Sequence, residues 1–241
     1  MNILAIDTSH PTGSVAIRLG DGSSTTEHFG TASSHLVELG QAVATLLETT
    51  GAELSDIERV ALVCGPGSFT GLRIGMSYVK GLFAVLGVGV VTLTSLELLA
   101  MQAGTRHDWV CPIIDARKSE VYVAVYRKIG LRSVGGEVVV PKLTVDMGAR
   151  AAAPRQFLAS RPIRRMLFIG SGAERFRTSI DKVFGDNASF AGSGKNQPST
   201  ELLCRVGEGL APLSKEEILK LEPFYIRPSD AKLRPLKRMK T

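Results

Sequence analysis

The segment Gly65-Pro66-Gly67-Ser68-Phe69-Thr70-Gly71-Leu72-Arg73-Ile74-Gly75 restricts this chain more than any other stretch. It follows an aliphatic run at residues 60–64 that reads as a buried strand. Ser68 or Thr70 then opens an amphipathic helix that runs to about residue 86. Gly67, Gly71 and Gly75 recur every fourth residue and therefore share one helix face. A glycine inside a helix costs about 1 kcal/mol against alanine, so this row needs compensation. A phosphate cradle is one reading, since free amides at a helix N-terminus face anions well. Its known spacings fail, however. Leu72-Arg73 stand where a P-loop needs lysine and a hydroxyl, and Thr70 breaks the dinucleotide pattern, with no acid ending the next strand near Leu93. The second reading is close packing. Leu72, Met76, Val79, Phe83 and Leu86 form a stripe that holds the helix to its own sheet, leaving the glycine face for a second helix. That helix is either residues 34–50 or a partner chain. The third reading is that both faces are internal core. The residue pattern leaves the last two open.

Around this segment the periodicities predict an α/β chain of two similar halves. Strands are expected at 2–7 and 14–19, joined as a hairpin. A helix at 34–50 follows, with Ser34 as cap, a stripe of Leu36, Leu39, Val43 and Leu46, and Gly51 as its stop. After the glycine helix come a strand at 88–93 and a helix at 95–103. A second unit starts near Trp109, with strands at 110–114 and 121–127. Ile6-Asp7 and Ile114-Asp115 then occupy equivalent places in a strand–Asp–turn–strand repeat. Residues 130–165 read as less regular. A strand at 166–170, a helix from 173, a loop at 185–198, a helix at 201–213 and an extended piece at 223–227 complete the chain. The expected division is 1–105, 106–230 and a basic tail at 231–241.

The net charge of +6 invites a nucleic-acid-binding reading. The tail, however, holds five of the 29 cations (Lys232, Arg234, Lys237, Arg238, Lys240) and no acid, so the body carries 24 basic and 23 acidic residues. Overall charge is therefore poor support for an RNA-binding fold. Arg150, Arg155, Arg161, Arg164 and Arg165 form the other basic stretch, read as a solvated face or a weak tRNA phosphate contact. Three separated cysteines without a CxxC pair fit a reducing cytosol. Asp7 comes too early for a signal peptide, and residues 81–91 are too short for a span. A cytoplasmic protein without membrane contact is expected. The four histidines contain no i, i+4 pair and no Cys/His cluster, so no metal site is expected. Cys64 ends an aliphatic strand and reads as an inert buried thiol. No GxSxG elbow and no supported triad is present.

The turn Asp7-Thr8-Ser9 with Gly13 resembles the first phosphate loop of the actin-like ATPase and sugar-kinase superfamily. In that superfamily an acid at the strand end holds a magnesium-bound water. The corresponding second loop is Asp115-Ala116-Arg117-Lys118-Ser119, which lacks glycine, so side chains would crowd an approaching phosphate. Two ordinary turns capped by Asp7 and Asp115 remain the plain alternative.

On a wider set of segments the chain resembles the bacterial TsaB (YeaZ) family. These are residues 4–9 (LAIDTS), Ser34-His35, the eleven residues from Gly65 to Gly75, Lys80-Gly81-Leu82, residues 94–97 (TSLE), residues 114–122 (IDARKSEVY) and Phe224-Tyr225-Ile226-Arg227. The family's glycine before Glu120 is Ser119 here. The resemblance implies an actin-like (ASKHA, ribonuclease H-like) fold of two similar subdomains with no catalysis of its own. It implies a scaffold role in forming threonylcarbamoyladenosine on tRNA, beside a TsaD-like synthase and a TsaE-like ATPase. ATP and metal would belong to those partners and no cofactor to this chain. A homodimer is implied when the synthase is absent, and tRNA contact only through the complex. Carried onto this sequence, the partner face would comprise Ser34, His35, Leu39, Gly67, Ser68, Phe69, Thr70, Gly71, Arg73, Ile74, Gly75 and Tyr78. Asp7, Thr8, Ser9, Asp115, Ala116 and Arg117 would be vestigial phosphate loops. The resemblance thus moves the glycine row toward an interface. The rival readings are an active actin-like small-molecule kinase or ATPase using Asp7 and Asp115 with magnesium, and a peptidase acting on its partner, which lacks a nucleophile–base pair in the sequence.

Overall fold

A computed structural model describes residues 1–30, 35–136, 138–192 and 194–227. Ser34 and the basic tail at 231–241 lie outside the described residues. Two five-stranded sheets organise the chain. β1 (Ile3–Asp7) and β2 (Gly13–Arg18) are buried along their whole length, with aliphatic stretches at 3–6 and 15–17. β2 pairs antiparallel with β1 and with β3 (Ser24–Phe29), and β4 (Arg59–Val63) and β5 (Gly89–Leu93) continue the sheet in parallel. The spatial order is β3-β2-β1-β4-β5.

The second sheet repeats this plan. β6 (Trp109–Asp115), β7 (Val121–Val134) and β8 (Val138–Ala152) form an antiparallel meander, and β9 (Met166–Ile169) and β10 (Ala188–Phe190) add in parallel, in the order β10-β9-β6-β7-β8. Asp7 and Asp115 end the central strands of their sheets, as the strand–Asp–turn repeat predicts. The actin-like fold class with two similar halves is therefore correct.

Helices sandwich the sheets. α1 (His35–Thr50) and α2 (Phe69–Leu86) cover one face of the first sheet, where Leu39, Val43, Leu46, Met76 and Val79 share a core with Leu4, Ile6, Val15 and Val60. α3 (Ser95–Gln102), α4 (Pro154–Ala159), α5 (Ser171–Arg175), α6 (Arg177–Phe184), α7 (Thr200–Glu208) and α8 (Lys215–Lys220) follow in chain order. α3 packs on the second sheet through Leu96 and Leu99, while α7 crosses the first through Leu203, Cys204 and Val206. The tip of the β7–β8 hairpin joins α7 there, with Val134 and Val140 in the same cluster. The opposite face of the second sheet is closed by α4 and α6 around Phe157, Phe168 and Phe184.

Three readings of the sequence need correction. Residues 130–152 are not irregular: β7 continues to Val134 and β8 fills 138–152. Pro141 hid this strand. β8 lies at the sheet edge, where the missing N–H of Pro141 breaks no ladder on its open side. The helix read at 201–213 stops at Glu208, and Leu213 instead donates its backbone N–H to Val90. Finally, the loop read at 185–198 contains β10. No helix among the described residues is long and apolar enough to cross a membrane.

Candidate functional site

The glycine row does not face outward. A Cβ on Gly67 would stand 2.7 Å from Ser9 Cβ and would overlap the Ser9 carbonyl oxygen. On Gly71 it would overlap the Thr8 carbonyl oxygen, and on Gly75 the Thr8 hydroxyl. The row is therefore sealed by the β1–β2 turn of its own chain, and the third reading, internal packing, is correct for this face. The reason is geometric. The turn is pulled under α2, where Ser68 donates its backbone N–H to the Ser9 carbonyl at 2.7 Å. Only bare Cα positions admit a backbone so near the helix axis. Leu39 is corrected too: it is fully buried in the α1–sheet core. His35 opens α1.

The rest of the expected partner face divides by role. Ser68 caps α2, accepting the Gly71 N–H at 3.3 Å. Ile74 and Tyr78 lean on the core as half-buried side chains, and burial raises the Tyr78 phenol above its ordinary value. Phe69 stacks on Tyr225 with ring centres 4.8 Å apart. Arg73 lies 3.9 Å over the Phe69 ring and donates to the Tyr225 hydroxyl at 3.0 Å. Thr70 is exposed. The outward rows of the two helices are small and sparsely charged: Val37, Gln41, Ala44, Thr45 and Glu48 on α1, and Thr70, Arg73, Ser77, Gly81, Ala84 and Val85 on α2. Val37 is 60% and Val85 81% exposed, and a Cβ on Gly81 would meet nothing within 4 Å.

Between the two halves lies a cleft of about 480 Å³, bordered by both Asp-ended turns, the start of α2 and Arg227. Its chemistry does not fit magnesium and a triphosphate. The Asp7 carboxylate is buried, accepts the Ser9 N–H at 2.8 Å and faces His10 Nδ1 at 3.8 Å. Thr8 is fully buried. In the second turn Arg117, Lys118 and Ser119 all take left-handed backbone conformations (φ 61°, 47° and 60°). The turn is closed by Ala116 N–H to the Glu120 carbonyl at 3.0 Å. Three side chains therefore stand where phosphate would need bare amides, and Asp115 is engaged by Arg175. Ser119 thus keeps a backbone shape that suits glycine, at a cost of about 1 kcal/mol. Ser119→Gly is expected to raise stability by about 0.5 kcal/mol, seen as a higher urea midpoint at unchanged slope.

Ser9 Oγ lies 2.8 Å from His10 Nδ1, a hydroxyl–imidazole contact that the sequence had not revealed. The contact is enclosed within the turn. Ser9 is buried, the same ring nitrogen faces Asp7, and His10 Nε2 is buried without a hydrogen-bond partner among the described residues. Burial lowers the His10 pKa, opposed by the Asp7 charge. Below the ordinary value of 6.5 the unfolded chain binds the proton more readily. The stability from neutral His10 is therefore complete above pH 6.5 and declines as pH falls toward the lowered folded value. His10→Gln should flatten the fall of the thermal midpoint below pH 6.5 relative to the parent protein. His107, also lowered, titrates alike in both. Cys64 is pushed up to about 11, mainly by burial and then by Glu97, and its thiol donates to the Leu93 carbonyl at 3.5 Å. Among the described residues no cluster of His, Cys, Asp or Glu could hold a metal ion.

The segment ending at Arg227 carries a role that its sequence did not announce. Phe224 donates its N–H to the Cys64 carbonyl at 2.8 Å and Tyr225 covers Phe69. Ile226 packs on the α3–β6 core, and Arg227 reaches Glu120 and the Ala116 carbonyl. This strap joins the start of α2 to the second turn across the cleft. Only contacts over more than a hundred residues reveal it.

Comparison with known proteins fits this geometry. The family model described as TsaD, tRNA N6-adenosine threonylcarbamoyltransferase, matches residues 30–231. The tRNA threonylcarbamoyladenosine biosynthesis protein TsaB of Bacillus subtilis (strain 168) is 30% identical over 234 residues, 96% of each chain. Its namesake in Haemophilus influenzae is 26% identical, covering 94% of each chain. The solved YeaZ structure from Pseudomonas aeruginosa superposes with a TM-score of 0.71 at 26% identity, covering 93% of this chain and 99% of that one. The paired Asp-ended turns, the glycine row sealed beneath α2 and these similarities over nearly the full length place the chain in the TsaB (YeaZ) family of tRNA threonylcarbamoyladenosine biosynthesis proteins.

Proposed function

We propose that this chain serves tRNA threonylcarbamoyladenosine biosynthesis as a non-catalytic subunit that binds and supports a TsaD-like synthase. A TsaE-like ATPase joins the pair, and ATP and metal belong to those partners. The observation that carries this reading is the buried first turn. Thr8 packs against α2, and the buried Asp7 carboxylate is engaged within the turn by the Ser9 N–H and faces His10. A catalytic relative of this fold would keep that acid free for a metal-bound water.

Docking falls on the outward rows of α1 and α2. Val37 and Val85 supply apolar area, and Ser77, Gly81 and Ala84 allow a partner helix to approach closely. The same face pairs two copies when the synthase is absent. The test compares threonylcarbamoyl transfer to tRNA by the synthase with and without this chain, and nucleotide binding by the chain alone. The expected results are synthase turnover that falls by about tenfold or more when the chain is omitted, and no calorimetric heat with ATP. Micromolar ATP binding with turnover by the isolated chain would favour the kinase reading instead.

A further inference from the structure

We propose that the α4 side of the second sheet, centred on Trp109, binds an RNA phosphate backbone. The fold gathers there what the sequence spreads over 56 residues, from Trp109 to Arg164. Trp109 pairs with Arg127 across β6 and β7, and the Arg127 guanidinium lies 5.7 Å from its ring centre. Arg164 lies directly over the same ring at 3.9 Å. Arg150, on the edge strand β8, stands 5.9 Å over Phe157 of α4, and Arg155 is exposed on α4 itself. Arg161 completes the group, its Nε buried without a hydrogen-bond partner among the described residues. Trp109, Cys111 and Phe157 belong to one core cluster, which places these arginines around one side of the sheet.

Four arginines elsewhere pair with acids: Arg18 with Glu208, Arg175 with Asp115, Arg205 with Glu201 and Arg227 with Glu120. Among the described residues none of Arg127, Arg150, Arg155, Arg161 or Arg164 forms an ion pair with an acid. Residues 147–165 hold five arginines and no acid. Guanidinium groups bind phosphate through paired N–H donors, which lysine does not. An indole with guanidinium groups beside it also offers a platform for stacking by an unpaired base. Planar donors beside a stacking platform suit RNA better than an acidic peptide, which offers no bases. The family's substrate makes tRNA the probe of choice. The proposal is independent of the scaffold reading: its failure would leave docking on α1 and α2 untouched.

Trp109 is the chain's single tryptophan, so its fluorescence reports this face alone. Titrating the full chain with an unmodified tRNA transcript should quench that fluorescence saturably. With about four phosphate contacts, affinity should fall about 50-fold or more between 50 and 200 mM salt. The exposed triple variant Arg127→Glu, Arg150→Glu, Arg155→Glu should weaken binding, read by anisotropy of labelled tRNA, by about 20-fold or more. The control triple Lys195→Glu, Lys215→Glu, Lys220→Glu changes net charge equally and should weaken it far less. The proposal is overturned by no binding at 50 mM salt. It is equally overturned by binding that leaves Trp109 unquenched and the arginine variant unaffected, which would assign the contact to the basic tail. Equal losses in both triples, or quenching by phosphatidylglycerol vesicles without quenching by tRNA, also overturn it.

Discussion

Gly71→Ala is expected to cost about 3 kcal/mol of stability, and Gly71→Val to prevent folding. A single added carbon at this position would collide with the Thr8 carbonyl, a backbone atom that cannot rotate away. Either α2 lifts or the β1–β2 turn leaves its bed, and both movements expose buried groups. Thr8 and Asp7 have no water contact to fall back on, and Thr8 Oγ1 is already buried without a partner among the described residues. Overpacking of this kind costs about 1–3 kcal/mol where neighbours can yield, and more where they cannot. For a chain of this size, 3 kcal/mol lowers the thermal midpoint by about 6–12 °C. Circular dichroism melts of Gly71→Ala would show it. Gly40→Ala, where nothing lies within 4 Å, should instead hold or raise the midpoint. An unchanged midpoint for Gly71→Ala would contradict the sealed row. The consequence for pairing is practical: a failure of Gly71 or Gly75 variants to bind a partner would report loss of fold, not loss of an interface.

Gly81→Arg is expected to do the reverse. It should stabilise the free chain by about 0.5–1 kcal/mol, because arginine is the better helix former and the position is open. It should also weaken association with the TsaD-like synthase by about 100-fold, roughly 2.7 kcal/mol, since a charged side chain would be pressed into the closest part of a helix–helix contact. Val85→Glu should act in the same direction at the other end of the exposed row. Sedimentation of the mixed subunits, beside a melt of the free variant, separates the two effects. Intact pairing in both variants would remove α2 as the docking helix.

Much of the scaffold was legible because local rules and tertiary structure agree. The aliphatic runs of β1, β4 and β9 and the stripe on α2 all follow from periodicity. The repeat of Ile-Asp at 6–7 and 114–115 pointed to two similar halves, and the shared strand order came with the structure. β8 was missed because Pro141 argues against a strand unless the strand is an edge, and edge position is a property of the whole sheet. The Phe224–Arg227 strap and the Ser9–His10 contact were missed for related reasons. The strap joins segments far apart in the chain, and the contact depends on the fold of a buried turn.

Composition, spacing and turn chemistry by themselves determined the class of the chain, the pairing of its halves and the poverty of its second turn for phosphate. Tertiary structure alone decided what lies against the glycine row. A four-residue repeat of glycine states that some backbone must come close, because bare Cα positions in a helix are otherwise a net cost. Any backbone satisfies that demand equally, and here Thr8 and Ser9 of the same chain reach it first.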